Sequence, residues 1–165
     1  MNQYFIVLKK ILFTFFFVVI NSCSKKENLN LNETQSVIDN MFDEYFEAFS
    51  NKEFDKILDK YYAIPFIIYD QNNTIILNTR NELLSFLENA SNQLDKIDYG
   101  YSKTNFFEEF REDNNLIILE MNYTRYHKDG SVMGNKEMTA TYVLRKSDEN
   151  YKVISLIPHS SLINN

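Results

Sequence analysis

Few side chains in this chain of 165 residues are equipped for chemistry. There are two histidines, His127 and His159, and one cysteine, Cys23. Asp70 closes the β-branched and aromatic run Ile64–Asp70, and Arg125 stands two residues before His127 on an alternating segment. An aspartate beside a histidine is a general-base arrangement. An arginine at the polar end of an apolar strand can clamp a carboxylate or phosphate with two parallel hydrogen bonds. The plainer alternatives are that Asp70 caps the Asn72-Asn73 turn, that His159 belongs to a tail, and that Arg125 pairs with one of the 23 acidic residues. The three glycines, Gly100, Gly130 and Gly134, cannot build a phosphate loop or a dinucleotide fingerprint, so no cofactor of those classes is expected. A net charge of -6 and a pI near 5.0 argue against a nucleic-acid partner, which requires a basic footprint.

Cys23 has no second cysteine to pair with, so its meaning lies in its position. Lys9 and Lys10 precede a ten-residue run, Ile11–Ile20, that is apolar except for Thr14. That length suits a secretory h-region and is too short for a membrane-spanning helix, which needs about 20 apolar residues. Ile20-Asn21-Ser22-Cys23 then resembles the lipobox of bacterial lipoproteins, which implies cleavage before Cys23 and acylation of that residue. Residues 1–22 are therefore expected to be a signal peptide and 23–32 a lipidated cysteine with a polar tether; 33–165 would form the folded domain. Removing the leader takes away Lys9 and Lys10 but no acid, leaving a net charge of -8. The expected location is the bacterial envelope, anchored to the bilayer through Cys23. Ser24 after the cysteine favours the outer membrane, facing the periplasm.

The remaining residues read as helices first and strands afterwards. Asn32 with Gln35 can open a helix whose apolar stripe is Val37, Ile38, Met41, Phe42, Tyr45, Phe46 and Phe49. Phe54, Ile57, Leu58 and Tyr61 mark a short second helix. Ile64–Asp70 and Thr74–Leu77 read as strands around an Asn-rich turn. Thr79 with Glu82 forms a capping box for a third helix, with Leu83, Phe86, Leu87, Ala90 and Leu94 on its buried side. From Ile97 the period becomes two. A long polar edge strand (97–111) precedes Leu116–His127, whose faces separate cleanly. One carries Ile117, Leu119, Met121, Tyr123, Arg125 and His127; the other carries Ile118, Glu120, Asn122, Thr124 and Tyr126. Asp129-Gly130 signals a hairpin, and 137–145 and 151–158 complete a meander. The expected class is α+β.

This order of elements, with Tyr45-Phe46-Glu47-Ala48-Phe49, Tyr62-Ala63-Ile64-Pro65-Phe66, Arg125-Tyr126-His127-Lys128-Asp129-Gly130, Thr141-Tyr142-Val143-Leu144-Arg145 and Tyr151-Lys152-Val153-Ile154, resembles the nuclear transport factor 2-like superfamily. That superfamily includes ketosteroid isomerases and SnoaL-type cyclases. The resemblance implies a curled, mostly antiparallel sheet wrapped round the helices, forming a cone with a pocket. Set against the isomerases, Tyr45 falls where an oxyanion-donor tyrosine stands. Their base position falls on Tyr69, one residue before Asp70, and their second acid near Ala140 or Thr141. The first strand would lie beside and parallel to the last, bringing Asp70 and His159 to one end of the sheet, with His127 nearby. The two histidines would be two strands apart, roughly 9–10 Å, too far to share a zinc; no metal is expected.

Three functions follow as expectations. The first is an envelope binding domain that holds a small, partly apolar molecule in the cone, with Tyr45, Tyr61, Tyr69, Tyr123, Arg125, His127 and Tyr142 as pocket candidates. The second is an acid-base enzyme of isomerase, cyclase or dehydratase type, using Asp70 and His159 with Tyr45 as donor. The third is an interaction module, a homodimer formed through the outer sheet face.

Overall fold

The computed structural model describes residues 31–110, 115–148 and 150–159, with side chains from residue 36 onward. Cys23, the expected leader and residues 24–30 of the expected tether lie outside the described residues; the last two tether positions, Leu31 and Asn32, belong instead to the first helix.

Helix α1 spans Leu31–Ser50 and starts one residue before the expected cap, Asn32, whose side chain is outside the description. Its apolar stripe is the one read from spacing except at Val37, which is exposed: Ile38, Phe42, Phe46 and Phe49 are buried, with Met41 and Tyr45 packed against them. The Ser50 hydroxyl donates to the Phe46 carbonyl at 2.8 Å, satisfying one of the acceptors that every helix end leaves open. Helix α2 spans Phe54–Lys60 and buries Ile57 and Leu58. Helix α3, Arg80–Asp95, begins with the expected capping box. The Glu82 N–H donates to Thr79 Oγ1, while the Glu82 carboxylate accepts from the Thr79 and Asn78 N–H groups at 2.9 and 2.7 Å. Those two backbone donors hold the Glu82 carboxyl below its ordinary pKa.

Six strands form one sheet in the order β2-β1-β6-β5-β4-β3. They are β1 (Tyr62–Tyr69), β2 (Thr74–Leu77), β3 (Tyr99–Phe110), β4 (Leu116–His127), β5 (Met138–Ser147) and β6 (Asn150–Pro158). Every pairing is antiparallel except β1 with β6, which is parallel, as the resemblance implied. The architecture is the expected α+β class with a curled sheet.

Parity sorts the β4 side chains. Ile117, Leu119 and Met121 are fully buried and Tyr123 nearly so, on the face toward the helices. Burying each such aliphatic side chain is worth about 1.5–3 kcal/mol, so this register is strongly enforced. One part of the outer face departs from expectation. Asn122 and Thr124 are buried as well, at 5% and 2% exposure. A bulge in β3 between Thr104 and Phe106 frees Asn105, whose amide donates to Asn122 Oδ1 at 2.7 Å and to Thr124 Oγ1 at 3.0 Å. The Thr124 hydroxyl also donates to the Lys136 carbonyl in the β4–β5 connection. The Asp129-Gly130 turn closes a tight antiparallel hairpin, with the His127 N–H donating to the Ser131 carbonyl at 2.8 Å and Tyr126 bridging Val132, before the chain runs on to β5. Gly100 permits a close approach where β4 ends: a Cβ there would sit 2.7 Å from the His127 carbonyl oxygen.

Candidate functional site

The inner face gathers tyrosines. Tyr45 comes from α1, Tyr62 from β1, Tyr123 from β4 and Tyr142 from β5. Their rings interlock with one another and with phenylalanines: Phe42 meets Tyr142 at 4.9 Å, Tyr45 meets Tyr62 at 5.9 Å, and Phe46 meets Tyr123 at 5.9 Å between centroids. The Tyr62 hydroxyl donates to the Tyr45 hydroxyl at 3.2 Å. Burial disfavours the phenolate, so the Tyr45 pKa is pushed up to about 12 and those of Tyr62 and Tyr142 well above the ordinary value. Burial raises Tyr123 too, against the nearby positive charge of Arg125. These hydroxyls are neutral donors at physiological pH. The Tyr142 hydroxyl has no hydrogen-bond partner among the described residues.

Arg125 shares this face, in step with Tyr123. Its guanidinium lies 5.6 Å from the Tyr123 ring centre, and Nη2 reaches the Tyr123 hydroxyl at 3.4 Å, a marginal bond. It has no carboxylate partner among the described residues. The expectation of a structural ion pair therefore has nothing to stand on within that set. Arg125 is half-buried, and its positive charge opposes the rise in pKa at Tyr45, Tyr123 and Tyr142. A half-buried guanidinium against the Tyr123 ring, with its charge felt by the neutral phenols of Tyr45 and Tyr142, can hold an anionic group on an apolar body.

Other candidates are placed elsewhere. His159 lies on the outer face, because its ring sits beside Thr139 and Thr141, which alternate with buried Ala140 and Tyr142. Nδ1 is 3.1 Å from Thr139 Oγ1 and 3.8 Å from Glu120 Oε2; Nε2 is 2.8 Å from Thr141 Oγ1. Asp70 caps its turn: its carboxylate accepts from the Gln71 N–H at 2.8 Å, and its own N–H donates to the Asn73 carbonyl at 2.9 Å. No hydrogen bond or ion pair joins Asp70 to His159 among the described residues. The end of the sheet they share is not enough, because the His159 ring is turned to the outside. Tyr69 is 45% exposed at the end of β1, away from the buried positions Phe66 and Ile68. Tyr61 is buried, but its hydroxyl is committed to Glu44 at 2.8 Å, where Lys60 also binds. His127 ends β4 on the rim, with Nδ1 3.3 Å from the Asp98 carbonyl oxygen. No cluster of three or more metal-ligating side chains occurs among the described residues.

Two cavities open beside the cone. One, of about 330 Å³, lies between the ends of α1 and α3 and the start of β3, beside Phe49, Ser91, Asp95 and Tyr99. The other, of about 580 Å³, is a groove between α1 and edge strand β3, lined by Asp43, Phe46, Glu47, Tyr101 and Lys103 among others. None of the sequence-predicted pocket residues lines either. Ser50, Ser91, Tyr99 and Ser102 are among the polar groups that line them, and none was a site candidate from sequence. Only the buried phase of Ser91 on α3, four residues after Leu87, could have marked one of them in advance.

A helix-first α+β chain with this sheet order and its one parallel pair defines a cystatin-like cone. The chain belongs to the NTF2-like protein family DUF6841, whose profile matches residues 32–161. Solved structures share the fold. An NTF2-like protein with a cystatin-like fold from Novosphingobium aromaticivorans superposes with a TM-score of 0.62 at 8% identity, covering 84% of this chain and 94% of that one. An NTF2-like protein of unknown function from Shewanella oneidensis MR-1 gives 0.57 at 15% identity, covering 74% and 95%. Aln2 from a Streptomyces species gives 0.60 at 8% identity, covering 76% and 88%. At such identities the likeness concerns the fold alone. No curated protein matches the chain significantly.

Proposed function

We propose that this chain is a lipid-anchored protein of the bacterial envelope whose inner sheet face binds a small, partly apolar molecule bearing an anionic group. The observation that carries the binding reading is Arg125, half-buried against the Tyr123 ring with no carboxylate partner among the described residues. A guanidinium so placed can take an anion with charge-assisted hydrogen bonds. Tyr142, with its unpartnered hydroxyl, supplies a further donor on the same face. The acid-base enzyme gains no support from the geometry, since Asp70 caps a turn and His159 sits on the outer face.

Thermal melts with benzoate and inorganic phosphate test the binding reading. Benzoate is expected to raise the wild-type melting temperature, by mass action on the folded state. Arg125→Ala should melt like wild type without ligand and bind benzoate ten- to a hundredfold more weakly, the loss of a charge-assisted bond worth about 1.5–3 kcal/mol. A variant that melts much lower, with no ligand effect in either protein, would return Arg125 to a structural role.

The anchor rests on the order of basic residues, apolar run, small residue and Cys23. No helix among the described residues is long and apolar enough to cross a membrane. Cys23→Ser is expected to move the protein from the detergent phase to the aqueous phase after phase separation, because several acyl chains are lost at about 0.8 kcal/mol per buried CH₂. Retention of a mature-sized variant in the detergent phase would sink the lipoprotein reading. The outer membrane, facing the periplasm, is the proposed location.

A further inference from the structure

The smaller cavity differs in chemistry from the Arg125 site. Its volume of about 330 Å³ falls within the range of small-molecule sites. Ser91 lines it from α3 and is 95% buried. A hydroxyl on the wall of an open cavity can donate to or accept from an exogenous group. Tyr99 and Phe49 supply apolar surface on the other side, their rings 6.1 Å apart in an edge contact.

Charge decides which kind of ligand fits. Lys52 and Lys128 both border the cavity, but each already has a carboxylate: Lys52 with Asp95 at 2.5 Å, and Lys128 with Asp98 at 3.7 Å. Helices α1 and α3 both end here, at Ser50 and Asp95, and helix C-termini disfavour anions. An anion would meet compensated lysines and two negative dipole ends. A neutral hydroxylated molecule meets what it needs: the Asp95 carboxylate as acceptor, the two ammoniums as donors, and Ser91 as either. Exposed ion pairs contribute little, so these groups can turn to a ligand at small cost.

We propose that this cavity binds a small neutral polyol of cyclitol or monosaccharide size, held by Ser91, Asp95, Lys52 and Lys128, with its C–H face against Tyr99 and Phe49. The site is separate from the one proposed above. The test is saturation-transfer NMR and calorimetry on the full chain with myo-inositol and D-glucose, and with acetate as the anionic control. At least one polyol is expected to saturate, and acetate is not. Ser91→Val and Asp95→Ala should each weaken the polyol about tenfold or more, whereas Arg125→Ala should leave its affinity unchanged. If Ser91→Val fails to fold, Asp95→Ala, altering a surface carboxylate, keeps the test decisive. Absence of polyol saturation in wild type, saturation by acetate in place of the polyols, or affinity unmoved by the cavity variants would each overturn the proposal. Benzoate binding at Arg125 can succeed or fail independently of these outcomes.

Discussion

The two faces of the sheet treat Arg125 and His159 in opposite ways. On the inner face, Tyr45, Tyr62, Tyr123 and Tyr142 are packed among phenylalanines, and Arg125 has no carboxylate beside it among the described residues. On the outer face, His159 has two threonine hydroxyls and a glutamate within 4 Å, in contact with solvent. The inner groups are desolvated and short of partners; the outer group is solvated and fully occupied. Low dielectric raises both the strength of an electrostatic contact and the cost of lacking one. The difference teaches that a residue's capacity for chemistry depends less on its type than on the side of the strand it occupies. His159, the more reactive group on paper, is the more ordinary one in place.

Three experiments would break or sharpen that contrast. The largest effect should come from the inner packing itself. Phe42→Ala removes a ring in contact with Tyr45, Phe107 and Tyr142, and should cost about 3–5 kcal/mol in denaturant unfolding. A loss below about 1 kcal/mol would mean that the inner face is far less tightly packed than the ring contacts indicate.

The second is a pH effect. Tyr45, with its folded pKa near 12, holds its proton more tightly than in the unfolded chain, where the value is 10.0. The stability it contributes is therefore whole below pH 10 and is lost as pH rises from about 10 to 12. Ultraviolet titration should show this tyrosine ionising late, and Tyr45→Phe should make stability fall less steeply across that window. An unchanged slope would place the Tyr45 hydroxyl in contact with water.

The smallest effect belongs to the outer face. His159→Ala should change stability by no more than about 0.5 kcal/mol, as expected for an exposed pair with Glu120. A loss of several kcal/mol would show that the His159, Thr139 and Thr141 contacts hold the end of β6 and would make the outer face structural in its own right.

Local chemistry was legible in the sequence where it is decided within a few residues. The stripe of α1, the Thr79–Glu82 capping box, the span of β2 and the whole of β4 follow from spacing and end signals that neighbouring residues determine. Even the burial of Leu119 and Met121 and the placing of Arg125 beside Tyr123 follow from alternation alone. The resemblance supplied the sheet order with its parallel β1–β6 pair. Three things were decided only by tertiary structure. The bulge in β3 that releases Asn105 to bury Asn122 and Thr124 depends on how two strands twist against each other. The separation of Asp70 from His159 depends on the β5–β6 register, which places the His159 ring beside Thr141 on the outside. The cavity beside Ser91 exists because the ends of two helices and the start of a strand, distant in sequence, meet without filling the space between them. Periodicity records which side of an element is apolar, but register, bulges and voids arise where elements meet, and no short stretch of sequence contains both partners.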